Sequence, residues 1–152
     1  MQVRLALSEA DIETCFRLRH TVFVEEQGVP EELEIDEADC LSAVHFLGLL
    51  DDEPVAAGRM IPLEPMIENN TRYSGTMKIG RLVVVKSHRG RGYGDNMMAA
   101  MLDYARIHPA VTQIVLDAQT DALGFYEKLG FKAQGDDFMD AGIPHRHMVK
   151  TL

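Results

Sequence analysis

The stretch Val83-Val84-Val85-Lys86-Ser87-His88-Arg89-Gly90-Arg91-Gly92-Tyr93-Gly94-Asp95-Asn96-Met97-Met98 constrains the fold more than any other part of the chain. It sets a β-branched strand, a glycine-rich turn and a helix start in direct succession. A helix N-terminus carries unpaired N–H groups and the positive end of the helix dipole. Behind a strand and a turn whose glycines admit a ligand close to the backbone, it makes an anion site from main chain alone. Arg89 and Arg91 add forked donors suited to phosphate oxygens. Two phosphate loops of known geometry do not fit. The P-loop needs Lys and then Ser or Thr after its last glycine, where this chain has Asp95-Asn96 after Gly94. The dinucleotide turn needs G-x-G-x-x-G, and here Gly90, Gly92 and Gly94 are spaced by two, with Asp95 where the third glycine should stand.

Around this stretch the apolar spacing predicts an alternation of strands and helices. Val3, Leu5 and Leu7 alternate as a half-buried strand, and Ser8 with Asp11 opens a helix whose stripe is Ile12, Cys15, Phe16, Arg19 and Val22 or Phe23. Gly28 and Pro30 end it, and the acidic run to Cys40 has no period, which predicts a loop or a short irregular helix. Two apolar runs, 43–50 and 55–61, flank Asp51-Asp52-Glu53-Pro54 as a hairpin. Pro62, Pro65 and the polar segment 68–74 read as a connection. A strand over 76–85 leads into the glycine turn, followed by a helix packed through Met97, Met98, Met101, Leu102 and Ala105 and closed by Pro109. A strand over 111–116, a helix with stripe Ala122, Phe125, Tyr126 and Leu129 ended by Gly130, and short strands near 131–133 and 145–151 complete the chain. The expected class is α/β (α+β): a single domain over residues 1–152 with a mixed central sheet of six to seven strands flanked by helices.

Charge narrows the partners. The net charge of −9 argues against nucleic acid, since a polyanion needs a basic surface. From His20 to Gly58 there is no Lys or Arg, while eleven carboxylates crowd the span. From Asn69 to Gly94 the sign reverses, with Arg72, Lys78, Arg81, Lys86, Arg89 and Arg91 and no carboxylate. One segment repels anions and the other attracts them. No run approaches about 18 continuous apolar residues and the N-terminus lacks a basic segment followed by an apolar one, so a cytoplasmic protein without membrane contact is expected. Cys15 reads as a small core hydrophobe, Cys40 as incidental, and no metal site is implied.

Arg89, Gly92 and Gly94 fill the pattern Arg or Gln, two residues, Gly, one residue, Gly or Ala. Downstream, Leu116-Asp117-Ala118-Gln119 and then Phe125-Tyr126-Glu127-Lys128-Leu129-Gly130-Phe131 form a second signature, a strand followed by a helix ending in Tyr-x-x-x-Gly-Phe. Together with the strand order they resemble the GNAT N-acetyltransferase superfamily over nearly the whole chain. Arg19-His20-Thr21-Val22-Phe23-Val24-Glu25-Glu26-Gln27, His45 and Gly142-Ile143-Pro144-His145 are similar to its ElaA-like branch.

The resemblance implies acetyl-CoA as cosubstrate and direct attack of an amine on the thioester, without an acyl-enzyme. By position, Leu82, Val83 and Val84 would pair with the pantetheine arm, and Arg89, Gly90, Arg91, Gly92, Tyr93 and Gly94 would cradle the pyrophosphate. Gln119 stands near where the superfamily often has a cofactor-contacting asparagine. Tyr126 stands where it often has the acid that assists the departing thiolate; the alternative is a ring that simply packs. A backbone N–H at a distortion of the strand near Val83 would hold the developing oxyanion. For the base the candidates are Glu26, His45 and His145, with surface, core and strand-edge roles as their alternatives. The acidic span is expected to border the acceptor mouth and to favour small cationic amines, or else to be solvated surface. An acyl-CoA sensor without turnover, a module for another phosphorylated ligand and a homodimer all stay open.

Overall fold

Secondary structure follows the alternation expected from the sequence, with one addition. In this computed structural model, residues 1–63, 66–68, 71–73 and 75–152 are described, with backbone only for 66–68 and 71–73. The elements are β1 (Gln2–Leu5), α1 (Glu9–Arg19), a π-helical segment (His20–Glu26), α2 (Glu31–Glu34), α3 (Glu37–Leu41), β2 (Val44–Leu50), β3 (Glu53–Leu63), β4 (Met66–Glu68), β5 (Thr71–Tyr73), β6 (Thr76–Val84), α4 (Tyr93–Arg106), β7 (Gln113–Gln119), α5 (Leu123–Lys128), β8 (Lys132–Asp140) and β9 (Ile143–Thr151). Backbone pairing links seven strands into a mixed sheet in the order β1-β2-β3-β6-β7-β9-β8. The connection expected between the third and fourth of these strands in sequence contains an antiparallel pair, β4 with β5. Pro65, Ser74 and the side chain of Arg72 lie outside the described residues.

Contacts divide the chain into two units, Met1–Ile61 with Ile79–Ile107, and Pro62–Lys78 with His108–Leu152. In the first unit, Ser8 caps α1 by accepting from the Asp11 N–H at 3.1 Å. The β2–β3 hairpin turns on Asp51 and Asp52 with φ of 48° and 65°, the paired left-handed residues of a tight hairpin, which short acidic side chains tolerate. Leu47, Ala57 and Val83 of the unit's strands, with Ala6 just past β1, are buried in one cluster with Cys15 and Val22. The methionines of α4, Met97, Met98 and Met101, are fully buried. A Cβ on Gly48 would lie 2.9 Å from Ala56 Cβ and 3.0 Å from Met97 Sδ, so glycine there is a packing requirement.

In the second unit, β6 begins in parallel with β7, at Thr76↔Gln113, Met77↔Ile114 and Lys78↔Val115. β7 pairs antiparallel with β9 over its whole length. β8 runs well beyond the short strand expected near 131–133, while β9 starts two residues before the expected 145–151. They form a long hairpin through Ala141 and Gly142, both with positive φ, and shift register between Gln134 and Phe138. Phe131 and Met148 anchor the apolar side of this unit. β8 is exposed along its whole length, which hides its strand character from a search for alternating burial.

Candidate active site

The glycine turn in the first unit has the geometry of an anion cradle. Gly90 and Gly92 take φ of 73° and 80°, a region L-residues adopt at a cost. Gly92 is the N-cap of α4 and has no side chain to offer, so the first amides of α4 are left without a side-chain cap. No described atom lies within 4 Å of a Cβ built on Gly90, and on Gly92 only Asp95 Oδ2 does, at 3.9 Å. Arg89, Gly90, Arg91 and Gly92 are all exposed.

Arg89 is not idle. Its Nη2 donates to Glu26 Oε2 at 2.7 Å, its Nη1 donates to Glu26 Oε1, and its Nε donates to Val84 O at 2.9 Å. The Arg89 hydrogen bonds hold the Glu26 carboxyl below its ordinary value. This gives Glu26 a visible task, fixing an arginine of the turn from the end of the π-helical segment. A carboxylate made less basic in this way is poorly matched to accepting a proton from an amine.

β6 carries a backbone distortion at Arg81, two residues before Val83. Arg81 has φ of 52°, a left-handed value for a long side chain. Its guanidinium pins the distortion, with Nε donating to Glu34 O at 3.0 Å and Nη2 to Leu33 O at 3.3 Å. Leu82, Val83 and Val84 follow directly, Val83 buried and the other two partly exposed.

The acidic run folds as α2 and α3 around an ion network. Arg19 is buried, with Nε donating to Glu34 Oε1 at 2.6 Å and Nη1 and Nη2 to Asp39 at 2.8 and 2.9 Å. Its guanidinium also lies 5.0 Å from the centre of the Phe16 ring. Arg59 grips both oxygens of Asp36 at 2.6 and 2.7 Å and reaches Asp39 Oδ1 at 2.7 Å. Burial pushes the Asp39 carboxyl up, but hydrogen bonds from Arg19, the Asp36 N–H and Arg59 outweigh it and hold the group far below the usual carboxylate range. Arg19 and Arg59 are the cations that bound the Lys- and Arg-free span, and they pair three of its eleven carboxylates, Glu34, Asp36 and Asp39. Glu34 and Asp39 are therefore buried and paired, and the exposed Asp36 is gripped by Arg59. Glu25, Glu31, Glu32 and Glu37 stay exposed.

His45 sits beneath this network. Its Nε2 lies 3.1 Å from Asp39 O and its ring meets Phe16 edge-on at 5.6 Å. A carbonyl only accepts, so Nε2 carries the proton and Nδ1 is a buried acceptor with no partner among the described residues. The backbone therefore satisfies half of the imidazole.

In the second unit, Tyr126 lies half-buried on α5, its ring 4.9 Å from Phe125 and 6.1 Å from Phe131. Burial pushes its hydroxyl up to about 12. Gln119 ends β7 opposite His145 of β9. His145 Nδ1 lies 2.7 Å from Ile143 O, and the ring stacks on Phe138 at 5.9 Å. One cluster here is not announced by the sequence. Asp117 Oδ1 lies 2.8 Å from His147 Nδ1 and its Oδ2 2.6 Å from Lys78 Nζ. Asp117 and His147 are thirty residues apart and only strand register joins them. The one sequence signal is a carboxylate inside the apolar strand Ile114-Val115-Leu116-Asp117-Ala118.

Among known proteins, residues 21–152 match the family model described as an acetyltransferase (GNAT) domain. The chain is 37% identical over 151 residues to the uncharacterized N-acetyltransferase YjcF of Bacillus subtilis (strain 168), covering 99% of both chains. It is 31% identical to the protein ElaA of Escherichia coli (strain K12) over 96% of this chain and 91% of that one. The crystal structure of Escherichia coli ElaA superposes with a TM-score of 0.84 over 98% of each chain, at 28% identity. An acyl-CoA N-acyltransferase from Pseudomonas aeruginosa follows with a TM-score of 0.81 and 27% identity, over 98% and 97% of the two chains. With the left-handed glycine turn before α4, the strand-to-helix signature through Tyr126 and the mixed sheet, these similarities place the chain in the GNAT acetyltransferase family, whose enzymes take acetyl-CoA or acyl-CoA as cosubstrate.

Proposed function

We propose that residues 1–152 act as one acyltransferase domain that passes the acetyl group of acetyl-CoA directly to an amine, in a ternary complex in the cytoplasm. The observation that carries this reading is the uncapped N-terminus of α4 behind two left-handed glycines. The turn from Arg89 to Gly94, with Arg91 and Tyr93 within it, takes the pyrophosphate. Leu82, Val83 and Val84 take the pantetheine arm by backbone pairing, and Gln119 contacts the cofactor from the end of β7. A backbone N–H after the Arg81 distortion meets the charge that develops on the thioester oxygen. A thiol-release assay with acetyl-CoA across a panel of amines tests the reading. Release with at least one amine is expected, and binding of acetyl-CoA without release would favour a sensor.

Tyr126 assists the departing sulfur. With its hydroxyl near 12 and a thiol near 8.5, full transfer of the phenolic proton runs uphill by roughly 5 kcal/mol. The phenol therefore serves as a hydrogen-bond donor to the developing thiolate. A hydrogen bond to a charged partner is worth about 1.5–3 kcal/mol, so Tyr126→Phe should lower kcat roughly 10- to 100-fold. The affinity for acetyl-CoA should hold. Single-turnover rates and calorimetry check both, and an unchanged chemical rate would return Tyr126 to packing alone.

The acceptor on this reading is a small cationic amine, drawn by the exposed carboxylates Glu25, Glu31, Glu32 and Glu37. Neutralising these to glutamine should raise the acceptor Michaelis constant several-fold at low salt, leave that for acetyl-CoA alone, and lose its effect at high salt. Glu34 is left untouched because Arg19 needs it. Better turnover of anionic amines would contradict the assignment.

A further inference from the structure

Asp117, Lys78 and His147 have no part in the chemistry above, yet they form a hydrogen-bonded polar cluster in the second unit. Strand register builds it. His147 on β9 stands opposite Asp117 on β7, and Lys78 on β6 stands opposite Val115, two residues back on the same face of β7. An ionised carboxylate only accepts hydrogen bonds, so the 2.8 Å contact fixes the proton of His147 on Nδ1 and leaves the Nε2 lone pair for another partner. The ring stays accessible, with the His147 side chain 40% exposed. Burial pushes the Asp117 carboxyl up, but the hydrogen bonds from Lys78 and His147 outweigh it and hold the group below its ordinary value. The carboxylate is thus charged, locked on both oxygens and aligned with the imidazole. In contrast, Glu26 is held by Arg89, His45 Nδ1 is walled in beneath the ion network, and His145 turns Nδ1 to a carbonyl of its own strand.

We propose that His147 is the general base of the acyl transfer and that Asp117 is its positioning residue, an assignment that rests on the acyltransferase reading. The acceptor arrives as an ammonium ion. His147 Nε2 takes one proton from it, which frees the nitrogen lone pair. The nitrogen then bonds to the thioester carbon, the carbon–sulfur bond breaks, and the sulfur leaves with its electron pair. The second proton lost by the nitrogen goes to that sulfur, so the products are amide and free thiol, and His147 returns its proton to solvent.

The test is steady-state kinetics on the full chain with acetyl-CoA and the best amine of the panel. His147→Ala should lower kcat on the order of 100-fold, with the dissociation constant for acetyl-CoA unchanged, and added imidazole should restore part of the rate. Asp117→Asn should lower kcat in the parent protein yet do nothing further in the His147→Ala background, because a positioning residue acts only through the group it positions. Wild-type kcat in His147→Ala overturns the base assignment alone. So does a loss that imidazole leaves untouched and that a fall in melting temperature accompanies. If the unaltered protein releases no thiol with any amine, the acyltransferase reading fails and takes the base with it.

Discussion

Replacing Arg19 by methionine should destabilise the protein by roughly 3–5 kcal/mol, the cost of stranding buried charge. Methionine keeps the stem in its slot but strips Glu34 of its 2.6 Å partner and Asp39 of two hydrogen bonds. For a chain of this size the melting temperature should fall by about 10 °C. The network also sets an acid limit. A carboxyl whose folded value is depressed stabilises the fold fully above its unfolded value of about 4, and that stability is lost as pH falls toward the folded value. Asp39 has its folded value depressed, so thermal stability should hold down to about pH 4 and then fall steeply. Replacing Asp39 together with Glu34 and Arg19 by apolar residues should flatten the acid limb and recover part of the loss. A drop under about 1 kcal/mol in Arg19→Met would show that solvent reaches the site and that the burial of Arg19 does not matter.

Gly92→Val should raise the dissociation constant for acetyl-CoA more than about 100-fold in a protein that still folds. Two effects add. Valine at φ of 80° forces the turn to rearrange, and its branches occupy the open space in front of the first amides of α4. Losing two or more charge-assisted hydrogen bonds at about 1.5–3 kcal/mol each accounts for the size. Circular dichroism with calorimetry separates binding from folding, and unchanged affinity in the folded variant would remove the turn from the cofactor site.

Local signals carried most of the fold. The apolar spacing around Cys15 and Met97 to Ala105 read correctly because those helices bury one face against strands. β8 was legible only at its start, since an exposed strand has no alternation to see. The glycine turn was legible because its conformation demands particular residues at fixed offsets. What stayed hidden depends on distance in the chain. Arg19, Glu34, Asp39 and Arg59 look like a charge imbalance until α2 and α3 fold back between the two arginines. Likewise Asp117 and His147 meet only through the β7–β9 register, and the nearer-looking His145 is claimed by Ile143 O. The strand distortion left no mark at all, because arginine is not the residue that a left-handed bend ordinarily selects.

Direct transfer without an acyl-enzyme is the central claim, and thiol release measured with intact-protein mass, with and without the amine, tests it most directly. In the absence of amine, the account predicts no burst of thiol and an unchanged protein mass. With both substrates varied, the reciprocal plots should intersect, as a ternary complex requires. A burst of thiol equal to the enzyme concentration, together with a protein heavier by one acetyl group that then passes to the amine, would contradict it.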